Sequence, residues 1–233
     1  MGNDANINPV MPEALHLNVL PSKTREAFLI CTTFDWLLDT WYLAGGTALA
    51  LQAGHRQSVD LDFFTMQSDF DTATVERRLV VSGGWVTTFS ERGTLYGLLN
   101  GAKMSFIAYP FFRPSPEQLR CGFVRLLIPD DIAAMKIIAI SQRGKKRDFA
   151  DLYWYTVVHG ASLEAAIERA IAQYPEQKHS IPHFLKSLTY FNDAEDDPMP
   201  VLNFKADWEG VKAYFRKEVP AIAKKLLRLE EAA

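Results

Sequence analysis

The first residues in this sequence that could do chemistry are two acids one residue apart. Asp60 and Asp62 stand in Ser58-Val-Asp-Leu-Asp-Phe-Phe64, whose alternation of apolar and acidic residues reads as a β-strand over 59–64. Side chains on a strand alternate faces. The two carboxylates therefore point the same way, with Cα atoms about 7 Å apart, while Val59, Leu61 and Phe63 turn toward the core. Carboxylates that close repel each other unless a cation sits between them. A pair of Mg²⁺ (or Mn²⁺) ions bridging the acids to phosphate oxygens relieves that repulsion, and phosphoryl or nucleotidyl transfer is the chemistry such ions support.

Upstream, Gly45-Gly46 falls at a strand-to-helix turn. Exposed backbone N–H groups and the positive end of a helix make such a turn an anion site, and glycine lets a triphosphate approach the backbone. Thr47 and Arg56 are candidate side-chain donors to the same phosphates. The acid pair alone is equally well read as a solvated strand face. Strand, Gly-Gly, short helix and then Asp-x-Asp is a rarer order, and it favours a nucleotide site.

A second constellation lies between Asp131 and Asp148, where Lys136, Arg143, Lys145, Lys146 and Arg147 occur with no acid among them. Lys136 sits among apolar neighbours, a costly place for an ammonium without an anion to meet it. Arg143, seven positions on, shares its helical face. Snorkelling of Lys136 above a solvated basic loop is the competing account. Asp151 is expected to pair with Lys146 or Arg147 at helical spacing.

The elements that must position these groups follow from periodicity and turn residues. The spacing predicts helices over 22–40, 48–53 (capped by Thr47 and ended by Gly54) and 72–81 (ended by Gly83-Gly84). Strands are expected at 41–44, 59–64, 85–89 and 124–128, with a hairpin of 94–99 and 102–109 turning on Asn100-Gly101. Beyond the prolines at 110, 114 and 116, helices are expected over 130–143, 147–158, 162–174, 182–191 and 207–230. The organisation is α+β: a mixed α/β region over 1–125 and an all-helical region over 126–233 that would complete a cleft. No internal repeat is evident.

Composition sets outer bounds. The chain has 233 residues, is 48% hydrophobic and carries 25 basic and 28 acidic residues, for a net charge of −3. It can build an ordinary core, and it lacks the global basic field of a nucleic-acid coat protein. No apolar stretch is long enough to span a membrane, and the N-terminal residues have no secretory pattern. Two cysteines, Cys31 and Cys121, make no disulfide framework, so a reducing, cytoplasmic setting is expected. Cys31 is expected to be a buried small residue, His179 and His183 to be structural or solvated, and the acidic run 193–197 to be a solvated turn.

Taken together, Tyr42-Leu-Ala-Gly-Gly-Thr-Ala-Leu-Ala-Leu51, Gly54-His-Arg56 and Ser58-Val-Asp-Leu-Asp-Phe-Phe64 resemble the nucleotidyltransferase AbiEii/AbiGii toxin family, within the polymerase-β-like nucleotidyltransferase fold. The resemblance extends through the segment 131–152 and the later segment 188–200 with Asp207-Trp208. It implies a mixed sheet with flanking helices, followed by a helical half. It implies a metal-dependent transfer of NMP from an NTP to an acceptor hydroxyl, such as the 3′ end of an RNA (a tRNA), by a toxin restrained by an antitoxin. Asp60 and Asp62 would hold the metal, Gly45, Gly46 and Thr47 would cradle phosphates, and Lys136 with Arg143 or Arg147 would hold the triphosphate. Asp148 either orients Lys136 or Arg143 or takes part directly. Such transferases usually carry a third carboxylate on the later strand, where this sequence has Ser105. That departure supports an alternative, a catalytically weak nucleotide- or RNA-binding module on the same fold. A metal-dependent glycosyltransferase also uses Asp-x-Asp, but the short Gly-Gly-to-Asp spacing argues against it.

Overall fold

The computed structural model describes residues 7–176 and 181–231, and the chain divides after Ile128 into two units. The first carries strands β1 (Ile7–Pro9), β2 (Tyr42–Leu43), β3 (Leu61–Thr65), β4 (Trp85–Glu91), β5 (Thr94–Leu99), β6 (Ala102–Ala108), β7 (Gln118–Cys121) and β8 (Val124–Leu127), and helices α1 (Ser22–Cys31), α2 (Gly45–Ala53) and α3 (Thr72–Val81). The strands form one mixed sheet in the order β1-β7-β8-β2-β3-β6-β5-β4. The pairs β1–β7, β8–β2 and β3–β6 are parallel, and the others are antiparallel. The fold is α+β, with its helical part C-terminal, as the sequence predicts.

Local chemistry accounts for most boundaries. Asn100 (φ 51°) and Gly101 (φ 81°) take the two positive angles of a tight hairpin turn, which pins Leu99 opposite Ala102 and every pair behind them. The Asp71 carboxylate accepts from the Thr74 N–H at 3.2 Å and caps α3, whose Val75 and Leu79 are buried. Gly54 (φ 65°) ends α2 in the left-handed region, its N–H donating to the Ala50 carbonyl at 2.8 Å.

Three expectations are corrected. The first helix stops at Cys31 instead of running to 40, because the Thr32 and Thr33 hydroxyls turn back to the Leu29 and Ile30 carbonyls at 2.6 and 2.7 Å. The Thr32 carbonyl is also taken by the Phe123 N–H at 2.9 Å. Helix α2 begins at Gly45, so Thr47 lies within its first turn and Ala44 is the cap residue. Val59 is 52% exposed and precedes β3, its carbonyl accepting from Thr24 Oγ1 at 2.9 Å. Strands β1 and β7 had no signature in the sequence, since each is short and mostly polar or interrupted by proline.

One face of β3, β6 and β5 is the core of this unit. Leu61, Phe63, Met104, Phe106, Leu95 and Leu99 are buried there. The ring of Phe106 stacks on Phe63 at 5.2 Å and meets Trp41 edge-on at 5.0 Å. The opposite face, one residue out of phase, carries Asp62 on β3, Ser105 on β6 and Tyr96 on β5.

The second unit contains α4 (Pro129–Gln142), α5 (Lys146–Tyr153), α6 (Leu163–Gln173), α7 (Ile181–Ser187) and α8 (Trp208–Glu231), and α5 runs on into a single π turn, Trp154–Val158. Ser162 caps α6 by accepting from the Ala165 N–H. Phe149 packs against Phe191, Trp208 and Phe215 with ring centroids 5.2, 5.7 and 5.5 Å away. Beside this cluster the Lys136 ammonium on α4 lies 2.7 Å from both Asp148 Oδ1 and Asp151 Oδ2 on α5. All three are buried. Asp131, also buried, accepts from Arg169 at 3.0 Å and from Gln173 at 2.7 Å. Among the described residues no helix is long and apolar enough to cross a membrane.

The acidic run 193–197 is exposed at Asp193, Glu195 and Asp196, as expected of a solvated turn, and it also meets the basic residues beside it. Asp197 accepts from the Lys146 N–H at 3.0 Å and pairs with Lys145 at 3.3 Å. Glu195 accepts from Lys212 at 2.7 Å and from the Trp208 indole at 2.9 Å. The Lys146 ammonium donates to the Glu195 carbonyl at 3.0 Å and lies 5.1 Å from the centre of the Trp208 ring. The turn thus strands the N-terminus of α5 to the start of α8.

Three predictions follow from these contacts and exposures. Lys136→Met would leave two carboxylates buried without their cation and destabilise the helical unit by about 3–5 kcal/mol in denaturant unfolding. Arg147→Ala, at an exposed position, would change stability by no more than about 0.5 kcal/mol. The hydrogen bond from Lys212, then that from Trp208, holds the Glu195 carboxyl below its ordinary range. A depressed carboxyl stabilises the fold above its unfolded value, and that contribution is lost as pH falls through the folded value. The unfolding midpoint should therefore drop below about pH 4.5, with a shallower acid slope in Glu195→Gln.

Candidate active site

The acids sit at the N-terminal end of β3, an interior strand of the sheet. Asp62 is in β3, Asp60 is just before it, and both are half-buried. In the parallel pairing of β3 with β6, Asp62 lies opposite Ser105, and Lys103 is the next residue on the same face. Ser105 Oγ donates to Asp62 Oδ1 at 2.6 Å. A cavity of about 370 Å³ opens here, lined by Asp60, Asp62, Ser105, Lys103, Leu98, Tyr96 and Thr88, with Gly97 and Met104 at its floor.

Two backbone features hold the acids in place. The Ala44 N–H donates to the Asp62 carbonyl at 3.1 Å, which ties the start of α2 to β3. Gly45 follows with φ 68°, a conformation that strains any residue with a Cβ, and a Cβ there would lie 3.6 Å from Asp62 Oδ2. The N-terminus of α2, Gly45 and Gly46, thus begins beside the carboxylate. An anion bound by those N–H groups and a cation bound by the acids would be neighbours.

The expected side-chain donors take another part. Thr47 is 2% exposed, and its hydroxyl bonds to Ser58 Oγ at 2.7 Å and to the Asp60 carbonyl. Arg56 is 5% exposed and donates to the Gln57 carbonyl at 2.8 Å. Both brace the loop that delivers Asp60.

The predicted basic residues belong to the second unit. Lys136 meets Asp148 and Asp151, and this contact places Asp148 beside Lys136 as well as near Arg143, two of the roles left open for it. It also corrects Asp151, whose partner is Lys136 and not Lys146 or Arg147. Arg143 is half-exposed, its guanidinium 3.8 Å from Asp148 Oδ2, and Arg147 is exposed. His183 lies near the Ser141 carbonyl at 3.2 Å, and His179 is outside the described residues. Burial pushes the Cys31 thiol far above its ordinary range, in keeping with an inert core residue.

Asp60 Oδ1 is buried and has no hydrogen-bond donor, a costly state that a cation would relieve. No group of three His, Cys, Asp or Glu side chains gathers around a metal position among the described residues. Two carboxylates without a third ligand do not suit a zinc cage. They fit Mg²⁺ or Mn²⁺, which is commonly held by one or two carboxylates, with water and substrate phosphates completing the shell.

Lys103, Tyr96 and Thr88 were missed as cavity residues. The signal for two of them was present: a two-residue Asn-Gly turn fixes Tyr96 opposite Ser105 and Leu98 opposite Lys103. Thr88 is the extra residue of a bulge in β4, which no sequence pattern marks.

Comparison with known proteins agrees with the fold. The chain is 35% identical over 202 residues to an uncharacterized protein of Aquifex aeolicus (strain VF5), covering 86% of this chain and 96% of that one. Its fold is similar to that of an H. pylori protein assigned as a nucleotidyltransferase, with TM-score 0.53 and 18% identity over 90% of this chain and 98% of the other. It is also similar to MenT4, a nucleotidyltransferase toxin from Mycobacterium tuberculosis H37Rv, with TM-score 0.50 and 15% identity over 87% and 86% of the two chains. The family model described as nucleotidyl transferase AbiEii toxin, Type IV TA system, matches residues 33–92 and 112–231. With most of its length matched, this chain belongs to the AbiEii nucleotidyl transferase toxin family.

Proposed function

We propose that the protein transfers a nucleoside monophosphate from an NTP to an acceptor hydroxyl at the 3′ end of an RNA such as a tRNA, in a Mg²⁺- or Mn²⁺-dependent reaction. The observation that carries this reading is the buried, undonated Asp60 Oδ1 beside Asp62 and the N-terminus of α2. When bound, the metal would neutralise phosphate charge and draw the α-phosphorus toward attack. Asp60 and Asp62 hold it, and Ser105 fixes the rotamer of Asp62. The N–H groups of Gly45 and Gly46 receive phosphate oxygens, and Thr47 steadies Asp60 through its carbonyl. The acceptor oxygen bonds to the α-phosphorus, the bond to the β-bridging oxygen breaks, pyrophosphate leaves and the hydroxyl proton is lost to solvent.

In this reading Arg143 and Arg147, the exposed cations of the 143–147 segment, serve RNA phosphates. Lys136 acts by locking α4 to α5 while Asp148 keeps Arg143 near. The family's toxin–antitoxin description supports a cognate antitoxin as the restraining partner. The presence of Ser105 where related folds carry a carboxylate favours a second reading, nucleotide binding with little turnover.

Purified protein incubated with each labelled NTP, Mg²⁺ or Mn²⁺ and total RNA separates the two. Label should enter RNA with one NTP preferred, and Asp60→Asn or Asp62→Asn should lower the rate by about 10²-fold or more. If wild type and Asp60→Asn label RNA equally, the transferase reading is wrong. Tight NTP binding with no label in RNA would leave the binding module. Ser105→Ala frees Asp62 from its 2.6 Å donor, and should weaken metal affinity or activity by about 10–100-fold with a higher metal requirement.

A further inference from the structure

The open face of the sheet continues past the acids as two rows of side chains. The hydrogen-bonded register aligns Asp62, Ser105, Tyr96 and Phe89 across β3, β6, β5 and β4. The neighbouring row holds Lys103, Leu98 and Val86. The bulge at Thr88 is what brings Phe89 opposite Tyr96, since without the extra residue it would face the core side. Tyr96 is 40% exposed and Phe89 44%, with ring centroids 5.6 Å apart and planes tilted by 30°. At about 4.8 Å per strand, these rings stand roughly 10 and 14 Å from the Asp62 backbone.

From this placement we propose that Tyr96 and Phe89 form a stacking platform for the unpaired bases next to the reacting 3′ hydroxyl of a single-stranded RNA acceptor. Large exposed aromatic rings in series are what successive bases stack on, without sequence preference. The occupant is indicated by continuity and charge. Tyr96 lines the same cavity as the two acids, and Lys103, an exposed cation in that lining, lies on β6 between the strand of Asp62 and the strand of Tyr96, where it could meet a phosphodiester. The inference rests on the nucleotidyl-transfer reading for the identity of the acceptor, but its test reads binding alone.

The test measures fluorescence anisotropy of an end-labelled single-stranded RNA of about eight nucleotides with a free 3′ hydroxyl. It uses the full chain as wild type, Phe89→Ala, Tyr96→Ala and Tyr96→Phe. Each alanine variant should raise Kd by about 5- to 150-fold, the range that one base–aromatic stack is worth, while Tyr96→Phe keeps the wild-type value. Phe89→Ala should leave the Kd for a non-hydrolysable NTP unchanged. Circular dichroism and melting of the variants should match wild type, because both rings are exposed. Alanine variants that bind RNA as wild type does would overturn the proposal and leave the rings to a protein partner. Loss of NTP binding with RNA binding intact would also overturn it, assigning the rings to the incoming base. RNA binding that depends on the rings in a protein that never labels RNA would sink the transferase reading while sustaining this one.

Discussion

Repulsion between two carboxylates on one face is the constraint around which this molecule is arranged. Asp60 and Asp62 are held close by pleating, and one oxygen of Asp60 is buried without a donor. Left alone, such an arrangement costs free energy, and the surrounding structure pays to keep it. Thr47 grips the Asp60 carbonyl, Ala44 grips that of Asp62, and Ser105 donates to the Asp62 carboxylate. Each contact fixes an acid in place, and the buried, undonated Asp60 Oδ1 is left for a ligand to satisfy. The glycine at 45 permits the helix to begin there, and the helix end offers the complementary anion site.

The helical unit solves a related problem in the opposite way. There the charges are brought together internally: Lys136 is met by Asp148 and Asp151, all removed from water. A buried triad of this kind fixes geometry more than it adds stability, because desolvation offsets much of the Coulomb gain. Its consequence is to set α4 against α5 and to hold Asp148 beside the half-exposed Arg143. The acidic turn near Glu195 and Asp197 does the same for Lys145, Lys146 and Lys212. Of the basic run, Arg143 and Arg147 are left on the surface.

Periodicity and turn chemistry made much of the fold legible. The Asn100-Gly101 hairpin, the Asp71-capped helix and the Gly54 stop depend on residues within a few positions, and each appeared where its local chemistry demands. The acid pair and the glycine turn were legible for the same reason. Thr47, Arg56 and Asp151 were assigned the right neighbourhood but other partners, because a hydroxyl, guanidinium or carboxylate bonds to whatever the fold brings near. Strands β1 and β7 were illegible: neither alternates, and each is stabilised by a distant chain segment.

The amino-acid sequence by itself determined the ingredients, namely an alternating acid pair, a glycine bend ahead of it, and a helical C-terminal region with a lysine among apolar residues. Spacing of two or four residues is enough to set those, since the backbone repeats them. Only the tertiary structure decided that Ser105 stands opposite Asp62, that Lys136 lies between two aspartates, and that a bulge turns Phe89 toward Tyr96. Those pairings join residues on separate strands or helices, and their register is fixed by the packing of the whole core face against its neighbours, which no local pattern encodes.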